Sequence, residues 1–167
     1  MVRLRRIPLT VVPEHGLLRL RGPLAPGGGV VNGSGGDVLL ECGADHVSMR
    51  TLQGRIEVGV VVEEWDVPPP DSSPGEESED ATADVLLPGH AVLDTGFARR
   101  LWAGPLLGGA GTYRIHVRAD GRHSVAAGYD RLLRDAGEHS EALRRAHEHL
   151  RGRERFLIRI WRIPSTG

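Results

Sequence analysis

Across residues 55–65, apolar and polar positions alternate. Ile56, Val58, Val60 and Val62 fall on one side of an extended chain, and Glu57, Gly59, Val61 and Glu63 on the other. β-Branched residues at a period of two mark a half-buried strand. The same rhythm runs through "GTYRIHVRADGR", residues 111–122. There Tyr113, Ile115, Val117 and Ala119 share one side, and Arg114, His116 and Arg118 share the other. In "ERFLIRIW", Phe156, Ile158 and Ile160 alternate with Leu157, Arg159 and Trp161. Tyr113, Ile115, Val117, Phe156, Ile158 and Ile160 are therefore expected in the core.

Shorter β segments read from "RLRRIPLTVV", "HGLLRLRG", "DVLLECG" and "HVSMRTL", and "APGGGVVNGSGG" reads as a turn region. "DVLLPGHAVLDTG" suggests two strands with a turn at Pro88-Gly89, and "FARRLWAGPLLGGAG" an irregular connection burying Trp102. Residues 124–152 form a helical insert. Its better part is "SEALRRAHEHL", where Ser140 is an N-cap candidate and Leu143, Ala146, His147 and Leu150 keep helical spacing. The pattern predicts an all-β fold. It is an antiparallel β-sandwich forming a single domain over residues 1–167, with one short helix before the last strand.

Residues 66–84 break the pattern. They carry Asp66, Asp71, Glu76, Glu77, Glu79, Asp80 and Asp84, no base, and three consecutive prolines. A polyproline start followed by an acidic run predicts a long mobile loop near the middle of the fold. Deleting 71–83 is then expected to leave the fold intact.

The balance of charge sharpens this picture. The 167 residues carry a formal net charge of −1, which predicts no bulk attraction to nucleic acid or membrane. All 21 basic residues apart from histidine are arginine, and asparagine and glutamine occur once each, as Asn32 and Gln53. A GC-rich genome explains that bias, so arginine abundance alone is no sign of phosphate recognition. Residues 99–167 hold fourteen arginines against seven acids, a surplus that the acids of 66–84 nearly cancel.

Candidate chemistry is sparse. Cys42 is the only cysteine, which excludes an intramolecular disulfide framework and a cysteine-based zinc site, and it reads as a buried structural thiol. The serine in "NGSGG" lacks the first glycine of a nucleophile elbow, because Asn32 stands there. His147 and His149 are two apart on a helix and so cannot chelate together. His46, His90 and Asp94 form no local metal motif, and Glu63 and Glu64 are neighbours pointing to opposite faces of a strand. No cofactor or metal is expected. Pro8, Pro13 and Glu14 interrupt any leader-like apolar run, which places the expected setting in the cytoplasm.

If "YRIHVRA" and "FLIRIW" pair antiparallel, Arg114, His116 and Arg118 neighbour Arg159. Three readings of that row stand open. It is a solvated face whose arginine stems cover apolar surface, or a row masked by the acidic segment, or a contact for an anionic partner.

The two C-terminal strands also carry a family resemblance. Gly111, Tyr113, Arg114, Val117, Arg118, Ala119, Gly121 and Arg122, then Glu154, Phe156, Leu157, Ile158 and Trp161, resemble a family of conserved actinobacterial β-sandwich proteins. That family carries a Tyr-Arg-Val-Arg-Val strand, an Ala-x-Gly-Arg turn and a final Glu-x-Phe-Leu-Ile-Gln-Leu-Trp-Pro strand. Here His116 stands in place of an arginine, Arg159 replaces a glutamine, and Arg162-Ile163 intervene before Pro164. The resemblance covers the last third of the chain, implies the fold, and brings no activity with it. At the level of fold it extends to competence-type nuclease-inhibitor proteins.

The expected function is that of a non-catalytic protein-interaction or accessory module of inhibitor or immunity type. It would meet an acidic protein partner through Arg114, His116, Arg118 and Arg159. The alternative is a small-ligand binder or enzyme whose site is built from dispersed His, Asp and Glu residues.

Overall fold

The computed structural model describes residues 1–23, 37–70, 75–96, 99–136 and 141–164. The strands are β1 (Arg3–Val11), β2 (Leu17–Arg21), β3 (Leu40–Cys42), β4 (His46–Arg50), β5 (Val58–Trp65), β6 (Ser78–Asp94), β7 (Arg100–Asp120) and β8 (Arg155–Arg162). Two helices, α1 (Arg122–Ala136) and α2 (Glu141–Leu150), precede the last strand. The strands hydrogen-bond in the order β1-β5-β8-β7-β6-β2-β4-β3. All pairs are antiparallel except β5 with β8. The all-β architecture expected from the alternation is present, with two helices where the periodicity suggested one.

This sheet cannot be flat. In a flat sheet β1 and β2 would lie five strand spacings apart, roughly 24 Å. The six steps from Val11 to Leu17 reach about 20 Å at full extension, and part of that path is the 3-10 turn Glu14–Gly16. The sheet therefore folds over, and the long β6–β7 hairpin makes the fold. Residues 78–87 of β6 pair with 111–120 of β7, beside β8, β5 and β1; residues 90–94 pair with 100–105 beside β2. Between the halves, Pro88 pairs with Ala110 and His90 with Pro105, which leaves 106–109 bulged out opposite Gly89.

Buried acid pins that bulge. Glu64 on β5 is 2% exposed and accepts the amides of Leu107 at 2.5 Å and Gly108 at 3.2 Å. The Tyr113 hydroxyl donates to the Gly109 carbonyl at 2.7 Å. Backbone donors that a bulge frees must find a buried acceptor, and Glu64 supplies it. Its neighbour Glu63 points to the opposite face, as strand geometry requires.

One hydrophobic cluster draws on both halves of the folded sheet, with Leu18, Leu20, Val47 and Met49 meeting Val58, Val60, Tyr113, Ile115, Val117, Phe156, Ile158 and Ile160. The six expected core residues are all in it. Helix α1 packs beside α2, and Ile56, Val125, Leu150, Tyr129 and Leu132 form a smaller cluster at their base.

Four expectations are corrected. Residues 100–110 are not an irregular connection but the first half of β7, paired with the end of β6, and Trp102 there is partly buried against the core. Residues 78–84 are not loop but the first part of β6, because Ala81, Ala83 and Val85 alternate inward against Asp80, Thr82 and Asp84. Residues 88–89 do not separate two strands, since β6 passes through them with a register shift. Cys42 is exposed rather than buried, lying at the end of a three-residue edge strand. The "NGSGG" turn and residues 71–74 of the acidic segment lie outside the described residues.

Candidate functional site

The row singled out in the sequence forms on the outer face of β7 and β8. Its register runs Arg6, Glu63, Arg159, His116 and Thr82 straight across β1, β5, β8, β7 and β6. The next row toward the C-terminal end of β7 has Arg118 opposite Asp80, and the row on the other side has Arg114 opposite Asp84. Arg114, His116, Arg118 and Arg159 therefore do converge, on the side of the sheet away from the core.

They are paired within the sheet. Asp84 takes Nε and Nη2 of Arg114 at 2.8 and 2.9 Å. Asp80 takes Nε and Nη2 of Arg118 at 3.0 and 3.2 Å and lies 2.9 Å from His116 Nε2. Hydrogen bonding to Arg114 holds the Asp84 carboxyl below its ordinary range. Burial holds the His116 imidazole below its ordinary range, and the Arg118 and Arg159 charges act in the same direction against the pull of Asp80. The masking acids come from the adjacent strand, at the register positions that cross-strand pairing favours.

Glu63 organises the other end of the row. It is 6% exposed and faces Arg3 Nη1 at 2.9 Å, Arg6 Nε at 3.5 Å and Arg159 Nε at 3.7 Å, while Trp65 Nε1 donates to it at 3.2 Å. Arg3 also lies over the Trp65 ring, 6.0 Å from its centre. Arg159 Nη1 donates to the Pro70 carbonyl at 3.4 Å, so the segment leaving β5 touches this face. Among the described residues, six guanidiniums (Arg3, Arg6, Arg114, Arg118, Arg155, Arg159) stand against four carboxylates (Glu63, Asp80, Asp84, Asp120), which leaves the face positive by two charges.

A second polar cluster was not legible from sequence. Arg122 is 0% exposed; its Nη1 meets Glu79 at 2.5 Å and its Nη2 the Asp37 carbonyl at 3.0 Å. Glu154, also fully buried, accepts from Gln53 Nε2 at 2.8 Å. Burial pushes the Glu154 carboxyl up to about 7, against the pull of Gln53 and Arg122. Gln53 Oε1 in turn accepts the amides of Arg55 and Ile56 at 2.8 and 2.6 Å. The single glutamine thus ties the loop before β5 to the start of β8.

The dispersed residues considered for a metal are engaged elsewhere. Asp94 holds Arg19 at 3.3 Å and Arg21 at 2.7 Å, and His46 Nδ1 faces Asp45 at 2.9 Å. His147 lies edge-on to Tyr129, with ring centres 5.4 Å apart. No group of three or more His, Cys, Asp or Glu among the described residues is placed to hold a metal ion.

No family model and no curated protein matches the chain. Solved structures do. Over 97% of this chain and 98% of the other, the fold is similar to ComJ from Bacillus subtilis, an inhibitor of the DNA-degrading activity of NucA, with a TM-score of 0.52 and 7% identity. It is also similar to crocagin biosynthetic protein J, over 96% of this chain and 100% of the other, with a TM-score of 0.55 and 13% identity. The likeness is one of fold. No helix among the described residues is long and apolar enough to cross a membrane.

Proposed function

We propose that this chain is a non-catalytic, inhibitor-like accessory protein that acts in the cytoplasm by binding an acidic surface of a protein partner. The contact is the outer face of β7 and β8, with Arg114, His116, Arg118 and Arg159 at its centre. One observation carries the reading: among the described residues, six guanidiniums and a half-buried tryptophan share a sheet face with four carboxylates. Arginine and tryptophan are the residues that dominate binding energy at protein interfaces. A surplus of positive charge selects a negative partner and speeds the encounter. The fold likeness to ComJ, whose own partner is a nuclease, supports a protein partner of this general kind.

Capture from native extract tests this, using wild type beside an Arg114→Gln/Arg118→Gln variant of equal melting temperature. A stoichiometric protein retained by wild type and lost from the variant is the expected result. Equal retention by both, or no stoichiometric protein with either, overturns the proposal.

A further inference from the structure

At the end of the sheet where β1 runs out and β5 begins, three elements enclose an open hollow of about 590 Å³, lined by Val12, Glu14, His15, Gly54, Arg55 and His147. Each wall has a specific cause. The link between β1 and β2 turns through Glu14–Gly16, and His15 is there in the left-handed region, with φ 53° and ψ 23°. It is the one non-glycine residue with positive φ among the described residues. Such a conformation is disfavoured for a residue with a Cβ, and the next residue, Gly16, needs no compensation for its own φ of 67°. Gly54 closes against this turn, and a Cβ there would lie 3.3 Å from the Gly16 nitrogen and 3.5 Å from the His15 nitrogen.

The facing wall carries Arg55 and His147. Gln53 Oε1 takes the Arg55 amide and so sets the direction in which the chain leaves the loop. His147 is held by the edge of the Tyr129 ring. Glu14 contributes the one negative charge, and Thr95 Oγ1 donates to its Oε2 at 3.3 Å. The hollow therefore combines a guanidinium, two imidazoles, one carboxylate and the apolar side of Val12.

We propose that this hollow binds a carboxylate, held by Arg55 with His15 and His147 as further donors. A guanidinium matches a carboxylate in a two-point geometry, and local backbone strain concentrates where a side chain has a task. The carboxylate of Glu14 lowers the net charge of the lining, which favours a singly charged carboxylate over a doubly charged phosphate. The ligand is a small carboxylic acid or the C-terminal carboxylate of a peptide. This site is independent of the β7–β8 face.

NMR of the histidine rings and the Arg55 Nε–H, titrated with acetate, inorganic phosphate, and one short peptide in free-acid and amidated forms, tests it. Saturable shifts at His15, His147 and Arg55 with acetate or the free-acid peptide are expected, with weaker binding of phosphate and none of the amidated peptide. Binding by the peptide but not by acetate identifies a chain terminus; binding by both identifies carboxylates in general. Arg55→Gln is expected to weaken binding about tenfold, the effect of one charge-assisted pair. His15→Gly is expected to fold at least as stably as wild type and to bind more weakly. Non-saturating shifts, tighter binding of phosphate, or binding unchanged in both variants overturns the proposal.

Discussion

Asp80 on β6 lies directly across from Arg118 on β7, and its two carboxylate oxygens take Nε and Nη2 of that guanidinium at 3.0 and 3.2 Å. The cations of β7 are thus held in a lattice of cross-strand pairs. A partner with its own carboxylates would meet them already ordered.

Asp80→Asn removes the acid shared by Arg118 and His116. The variant is expected to elute later than wild type from a cation exchanger at pH 7. The pair is partly exposed, so the loss of stability is expected to stay within about 1 kcal/mol. Unchanged elution would show that Asp80 does not neutralise the row in solution.

Glu154 gives a pH dependence of definite sign. Its folded pKa, about 7, lies above the ordinary 4.5, so between those values the folded state binds more protons than the unfolded state. This group's contribution to stability is then fully present below about pH 4.5, falls as pH rises, and is gone above about pH 7. The difference amounts to roughly 3 kcal/mol at 1.36 kcal/mol per unit. Urea denaturation of wild type and Glu154→Gln at pH 5 and pH 8 checks it. The variant is expected to gain on wild type between the two, and a constant difference would contradict the assignment.

Gly121, in the turn entering α1, and Gly109, in the hairpin bulge, have nearly equal φ of 74° and 73°. A Cβ on Gly121 would meet the Arg153 carbonyl oxygen at 2.7 Å, while a Cβ on Gly109 would have nothing within 4 Å. Gly121→Ala is expected to cost roughly 2–4 kcal/mol from strain and crowding together, and Gly109→Ala only the strain. Equal melting temperatures of the two variants would refute the crowding.

The strands β5 and β8 and the second half of β7 were legible because their core residues are large and strictly alternate, whereas Gly104, Pro105, Gly108 and Gly109 hid the first half of β7. The start of β6 carries the same alternation, but its inward residues are Ala81 and Ala83, too small to stand out among Glu79, Asp80 and Asp84. Composition hid the period there. The expectation that 71–83 can be deleted reverses accordingly: the deletion removes the strand that pairs with 115–120, and loss of cooperative unfolding is now expected. The row Arg114, His116, Arg118 and Arg159 was readable from strand parity plus one pairing. Glu64, Arg122 and Glu154 were not, because a single charged residue looks solvated until distant chain supplies its burial and its partners.

The basic face is tested most directly by the Kd of the captured partner, measured calorimetrically for wild type and Arg114→Gln/Arg118→Gln at two salt concentrations. The account predicts binding at least about tenfold weaker in the variant, with a shallower salt dependence, since charge complementarity carries the contact. Equal Kd values with equal salt dependence would contradict it.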